Sequence, residues 1–120
     1  MLSQGGRFVD SATLMQRGDV EARPLTNTTL VAVATDARLD KTALVRLARL
    51  AHDGLARAIS PAHTSYDGDT VFALSTGEVA ASPDALGALA VSLVAAAIRR
   101  AVRTATGVAG VPAVGELADH

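Results

Sequence analysis

Residues 28–59, TTLVAVATDARLDKTALVRLARLAHDGLARAI, decide the fold, because the apolar pattern changes its period partway along them. In the first eight, Thr29, Val31, Val33 and Thr35 put β-branched side chains on one face and small or aliphatic residues on the other, the composition of an interior strand covered on both sides. Asp36 to Leu39 is a short connection. Asp40 then suits an N-cap, and Leu44, Leu47, Ala51, Leu55 and Ala58 recur at intervals of three and four, predicting a helix to about Ile59. Its other face carries Arg46, Arg49, Asp53 and Arg57. Asp53 stands four residues from Arg49 and from Arg57, so surface pairing worth about 0.2–0.5 kcal/mol is expected of it rather than a catalytic role.

Outward from this unit the pattern repeats. Ser60 to Gly68 reads as a loop containing Pro61, Asp69 to Ser75 as a second strand, and Thr76-Gly77 as the turn that ends it. Ser82 as N-cap and Pro83 in the first turn open a second helix, DALGALAVSLVAAAIRRAVRTA, which runs to about Ala105 before Gly107. Residues 1–27, with Gly5, Gly6, Gly18 and Pro24, lack periodicity and read as an irregular tail ahead of a domain over 28–120. The class is α/β, in the order strand, helix, strand, helix. Two strands make a poor sheet, and strands from another chain or another copy are expected to complete it.

Composition narrows the function. At 120 residues and 49% hydrophobic content the chain is sized for one domain, which at this length buries roughly two thirds of its unfolded surface. With one tyrosine, two phenylalanines and no tryptophan, the core must be built from Ala, Leu, Val and Ile. The absence of cysteine removes disulfides, thiolate metal sites and thiol nucleophiles. Eleven basic and twelve acidic residues, mixed along the chain, leave no electrostatic footprint for nucleic acid or an anionic membrane. The first residues, MLSQGGRFVDSATL, lack the basic and apolar regions of a signal peptide, so a cytoplasmic location is expected. The longest apolar stretch, Ala85 to Ile98, falls short of the roughly 20 residues of a bilayer span.

The junction Asn27-Thr28-Thr29, between the tail and the first strand, carries the first candidate chemistry. A Thr hydroxyl is a weak nucleophile without a base beside it, and an N-terminal Thr supplies one in its own α-amino group, of pKa about 7.7–8.0. Freeing that amine requires a cut after Asn27. The cut can be autocatalytic, with the Thr28 hydroxyl attacking the Asn27 carbonyl and water hydrolysing the resulting ester. The same tripeptide is also a glycosylation sequon, idle without secretion. Asp67-Gly68-Asp69 is the second candidate. Paired carboxylates can orient an amine or accept its proton, and equally Asp67 can close a turn on nearby backbone amides.

NTTLVAVATDARLDKTALVRLARLAHDGLARAI followed by DGDTVFALSTG resembles the small subunit of the DmpA-type aminopeptidase and nylon-oligomer hydrolase family, over about Leu25 to Leu117. The resemblance implies a precursor that cleaves itself into a large α and a small β chain and hydrolyses small peptides or oligoamides. It makes Thr28 the nucleophile and new N-terminus, and the Asn27–Thr28 bond the processing site. It sets Asp67 and Asp69 on paired acidic positions that support proton transfer around the nucleophile in the threonine branch. The implied fold is a four-layer αββα sandwich, of which this chain supplies part, with no cofactor. Family precursors carry a long α region with oxyanion-hole residues, whereas 27 residues precede Thr28 here. An α-type chain or upstream segment is therefore the expected partner, within a homo-oligomer. Loss of an oxyanion donor typically costs roughly 10²–10³ in rate, so the chain alone is expected to be a poor catalyst.

His52 and His63 have no third ligand at zinc-site spacing, and no metal is expected. Arg99, Arg100 and Arg103 suit the negative end of the second helix. Two further readings compete with the hydrolase. One is a truncated or non-catalytic assembly subunit of the same fold; the other is a stand-alone ligand-binding module in which Thr28 is merely a strand residue.

Overall fold

The computed structural model describes residues 10–19 and 28–117. Two parallel strands, β1 (Leu30–Ala37) and β2 (Thr70–Val79), flank helix α2 (Lys41–Ala56), and helix α3 (Pro83–Thr104) follows β2. The α/β class and the strand, helix, strand, helix order stand. Ahead of them lies a helix that the sequence reading takes for irregular tail, Ser11–Arg17. Its caps explain it. Asp10 accepts from the Ala12 amide at 3.1 Å and from the Thr13 hydroxyl at 2.6 Å, while Gly18 at φ 75° turns the chain out of the helix. This helix is α1 below.

Residues 28–35 are expected as the first strand, but β1 begins two residues later and ends two later. The amide of Thr29 is taken by a side chain, Asp69, instead of a neighbouring strand, while its carbonyl accepts from Thr70. The pairing then runs Leu30 to Thr70 through Thr35 to Ser75 and resumes at Ala37 with Val79. β1 advances two residues there and β2 four. The Thr76-Gly77 turn expected to end β2 is this irregularity: Gly77, at φ 79°, lets the strand bulge and continue. Arg38 fastens the bulge by donating to the carbonyls of Gly77 and Glu78 at 3.3 and 3.0 Å.

Both helices start as expected. Asp40 accepts from the Ala43 amide at 2.8 Å, and Ser82 caps α3, with Pro83 in its first turn. The helix expected to reach Ile59 closes at Ala56, where Arg57 caps it and the amides of Ala58 and Ile59 converge on the Leu55 carbonyl. α2 and α3 cross closely because both present glycine or alanine at the contact. A Cβ on Gly54 would lie 2.7 Å from the Val91 carbonyl oxygen and from Val94 Cβ. Across the same crossing Arg99 donates to the Arg57 carbonyl at 3.3 Å, capping α2 from α3. The expected pairing of Asp53 with Arg49 and Arg57 does not form: among the described residues the ion pair is Arg46 to Asp84, at 2.7 Å, joining the two helices.

The core is aliphatic and shallow. Leu47, Ala51 and Leu55 of α2 and Ala90 and Val94 of α3 close over Val71, with Val31, Val33 and Ala73 half-buried beneath the helices. One face of the sheet is thus covered. On the other face of the single chain Leu30 is 70%, Phe72 57% and Leu74 54% exposed, so the cover expected on both faces is not supplied by the described residues themselves. The chain has a single helical layer to spend, so the described residues make two layers, one of helices and one of sheet. α3, at 22 residues, is longer than the apolar stretch within it and passes the length and composition test for a bilayer span. Gly87, Ala90, Val91, Val94 and Ala95 form its packed face.

Candidate active site

Parallel pairing brings the N-terminal ends of β1 and β2 side by side, and with them Thr28 and the acidic pair. Thr28 is exposed, two residues ahead of β1. Asp69 immediately precedes β2 and reaches across, its Oδ1 accepting from the Thr29 amide at 2.8 Å. The Thr70 amide returns a bond to the Thr29 carbonyl at 3.0 Å. The backbone following Thr28 is therefore fixed on both its donor and its acceptor side, by residues some forty positions away in sequence.

Asp67 does something different. Its Oδ2 accepts from the amide of Thr64 at 2.9 Å and from the Thr64 hydroxyl at 2.7 Å, and the Asp67 amide donates back to the Thr64 carbonyl at 3.1 Å. Of the two readings open for this residue, the turn accounts for these contacts. The pair thus divides its work, with Asp69 holding the backbone next to Thr28 and Asp67 holding the loop from which Asp69 projects. Thr64 is the residue that sequence reasoning missed. Its signal was the Thr-x-x-Asp spacing of Thr64 and Asp67, the spacing at which a hydroxyl and a carboxylate close a local turn.

Thr28, Thr29, Thr64, Asp67 and Asp69 border one cleft of about 370 Å³. Ile59, Ser60 and Pro61 complete its floor, the Ser60–Pro61 peptide being cis, and Ser11, Leu14 and Met15 of α1 close the remaining side. A larger apolar groove, about 760 Å³, runs between β1 and α3. It carries no charged side chain along its lining, so the smaller cleft is where chemistry can occur. There an exposed threonine shares a cleft with two carboxylates and a fixed backbone, residue types able to orient a nucleophile and hold a proton or an amine.

Asn27, the other half of the expected processing bond, lies outside the described residues. His52 and His63 are drawn together, their rings 5.4 Å apart and inclined at 54°. Among the described residues no group of three or more His, Asp and Glu could hold a metal ion.

A model of peptidase family S58 matches residues 3–114 of the chain. An uncharacterized aminopeptidase of Mycobacterium tuberculosis (strain ATCC 25618 / H37Rv) is 46% identical over 101 residues, covering 72% of this chain and 29% of the relative. One from Mycobacterium leprae (strain TN) is 48% identical over 101 residues, covering 72% and 28%. A 6-aminohexanoate-oligomer endohydrolase of Paenarthrobacter ureafaciens is 42% identical over 53 residues, covering 44% of this chain and 15% of the enzyme. The chain spans less than a third of the length of the curated relatives it matches.

Proposed function

The chain belongs to peptidase family S58, and from that premise we propose that it supplies the nucleophile-bearing part of a self-cleaving amide hydrolase, cut between Asn27 and Thr28. The observation that carries the proposal is that Thr28 and Asp69 line one cleft, the residue after Thr28 donating its amide to Asp69 at 2.8 Å.

In the maturation step the Thr28 hydroxyl oxygen attacks the Asn27 carbonyl carbon, and its proton passes to a neighbouring base. The tetrahedral adduct collapses by breaking the C–N bond, whose nitrogen takes up a proton and becomes the free α-amine of Thr28. Water hydrolyses the remaining ester, leaving a carboxylate on Asn27 and restoring the hydroxyl. In turnover the new α-amine takes the hydroxyl proton as Thr28 attacks a substrate amide and returns it to the leaving amine, and water then hydrolyses the Thr28 ester, releasing the carboxylate product and restoring the hydroxyl. Asp69 steadies the backbone one residue from the reacting hydroxyl, and Asp67 steadies Asp69 through the Thr64 turn. Substrates are small peptides or oligoamides, in keeping with the names of the relatives, and an α-type chain or upstream segment provides the oxyanion donors.

Intact-mass measurement on purified protein tests the reading. The expected result is loss of the mass of residues 1–27, abolished by Thr28→Ala. A chain that stays uncut, folded and supplied with an α-type chain overturns it.

A second reading, a non-catalytic assembly subunit of the same fold, draws on the uncovered sheet face of Leu30, Phe72 and Leu74. In the four-layer arrangement implied by the family resemblance this face is where a second sheet packs. A folded, uncut chain that associates with copies of itself through that face favours this reading.

A further inference from the structure

We propose that His52 and His63 form a two-histidine site for a divalent transition-metal ion of the Zn2+ or Cu2+ kind, which clamps the loop after α2 onto that helix. The proposal is independent of the hydrolase reading, because neither histidine lines the Thr28 cleft. His52 is a half-buried residue of α2, and His63 an exposed residue of the loop that leads to β2. Their ring centroids are 5.4 Å apart. An ion about 2.0–2.1 Å from one nitrogen of each ring, in a near-tetrahedral arrangement, sets the two centroids roughly 5–6 Å apart. The observed spacing is therefore that of a chelate.

The surroundings leave both rings available. Thr64, Tyr66 and Asp67 close the turn beside His63 among themselves, and among the described residues no hydrogen bond or ion pair engages either imidazole. His63 stands at φ 60°, a left-handed backbone that is costly for a residue with a Cβ and persists where its surroundings fix it. The Thr64 amide and carbonyl that follow are pinned by Asp67 at 2.9 and 3.1 Å, so the ring is carried on anchored chain. Two ligands are too few for the closed structural sites of zinc, which take four from the protein. They suit an exchangeable site whose shell water completes. Imidazole favours Zn2+, Cu2+ and Ni2+, whereas Mg2+ and Ca2+ take oxygen ligands. A pair joined by the fold, on a helix and on the loop beyond it, is invisible to a search for a third ligand at zinc-site spacing, which is why the sequence alone predicts no metal. Bound there, the ion ties the start of the loop to α2, and since Ser60, Pro61 and Thr64 border the Thr28 cleft, occupancy stiffens one rim of it.

Titration calorimetry of the full chain with ZnCl2, on protein made without an affinity tag, tests the site. One equivalent is expected to bind, with Cu2+ binding more tightly and Mg2+ giving no heat. His52→Gln keeps a good helix former, and His63→Gly puts at φ 60° the residue that accepts it most readily. Each is expected to weaken Zn2+ binding by at least the roughly tenfold that loss of even an outer-shell partner costs, with far-UV circular dichroism unchanged. His120→Ala is expected to leave binding as it was. Zn2+ at about 100 times its dissociation constant is expected to slow amide hydrogen exchange over residues 60–66 by about tenfold or more in the wild type and in neither histidine variant. Absence of binding, binding that survives His52→Gln or His63→Gly, or binding lost with His120→Ala, an adventitious terminal site, overturns the proposal. Exchange over residues 60–66 that saturating Zn2+ leaves unchanged overturns the clamp.

Discussion

Asp69 and Thr29 are joined by a 2.8 Å hydrogen bond that stands where a rung of the strand ladder would otherwise be. A carboxylate in place of a neighbouring carbonyl leaves the chain just before it free of the sheet, and that chain is Thr28. Asp69→Ala removes the acceptor, whereas Asp69→Asn keeps an oxygen there but not the charge. The expected order of self-cleavage rates, followed by intact mass against time, is wild type, then Asn, then Ala. The stability cost of the Ala variant should be about 1 kcal/mol for a half-exposed bond to a charged group. An Ala variant that cleaves at the wild-type rate removes Asp69 from the site.

Thr28→Ser keeps a hydroxyl beside the Asn27–Thr28 bond and should still cut; Thr28→Ala should leave the chain whole. Mass spectrometry of the two variants under identical conditions reads the difference. Cutting in the Ala variant would locate the nucleophile elsewhere.

Two glycines at the helix crossing separate clearly. Adding a methyl at Gly54 drives it into the Val91 carbonyl and Val94 Cβ, both at 2.7 Å. Backbone cannot yield cheaply, so Gly54→Ala should cost roughly 1–3 kcal/mol. At Gly87 the obstacle is Leu50 Cδ1, the far end of a flexible side chain. The helix-propensity gain of about 1 kcal/mol over glycine should offset its displacement, leaving Gly87→Ala close to neutral. Urea midpoints of the two variants decide the matter.

Two carboxylates sit below their ordinary range. Asp10 is lowered chiefly by the Thr13 hydroxyl and then by the Ala12 amide, and Glu116 by the amides of Gly107 and then Ala113. A carboxylate depressed on folding contributes stability that is present above its unfolded pKa and is lost as pH falls through the folded one. Acidification below about 3.9–4.3, the unperturbed values, should therefore release α1 and the turn after α3 while the aliphatic core is still intact. Amide hydrogen exchange at Ala12 and Gly107 across that range is expected to rise before exchange in Leu47 to Leu55. Simultaneous loss would show that the caps do not act locally.

How far the sequence could be read varied with the kind of signal. The helices were legible because Asp40, Ser82 and Pro83 are local cues, and because spacings of three and four persist for many residues. The strand limits were not. At Thr29 a side chain substitutes for a ladder partner, and at Gly77 a glycine that reads as a stop permits a bulge. Helix α1 escaped notice because a seven-residue element shows too little periodicity, although Asp10 and Gly18 punctuate both its ends. At the candidate site, Thr28 and the acidic pair could be named from the sequence as candidates, but the separate hydrogen bonds of Asp67 and Asp69 could not. They depend on which strand lies beside which, a relationship between positions some forty residues apart that spacing along the chain cannot convey.

The bare side of the sheet sets the terms on which this polypeptide can be handled. Leu30, Phe72 and Leu74 lie together on paired strands, and each strand has an edge that the other does not occupy. Unpaired amides beside an apolar surface are a template for further strand addition. Produced by itself and concentrated, the chain is expected to precipitate or to build ladders of its own kind. Phe72→Lys should raise its solubility while leaving the helix-covered core folded. Co-production with an α-type chain should protect it without any substitution.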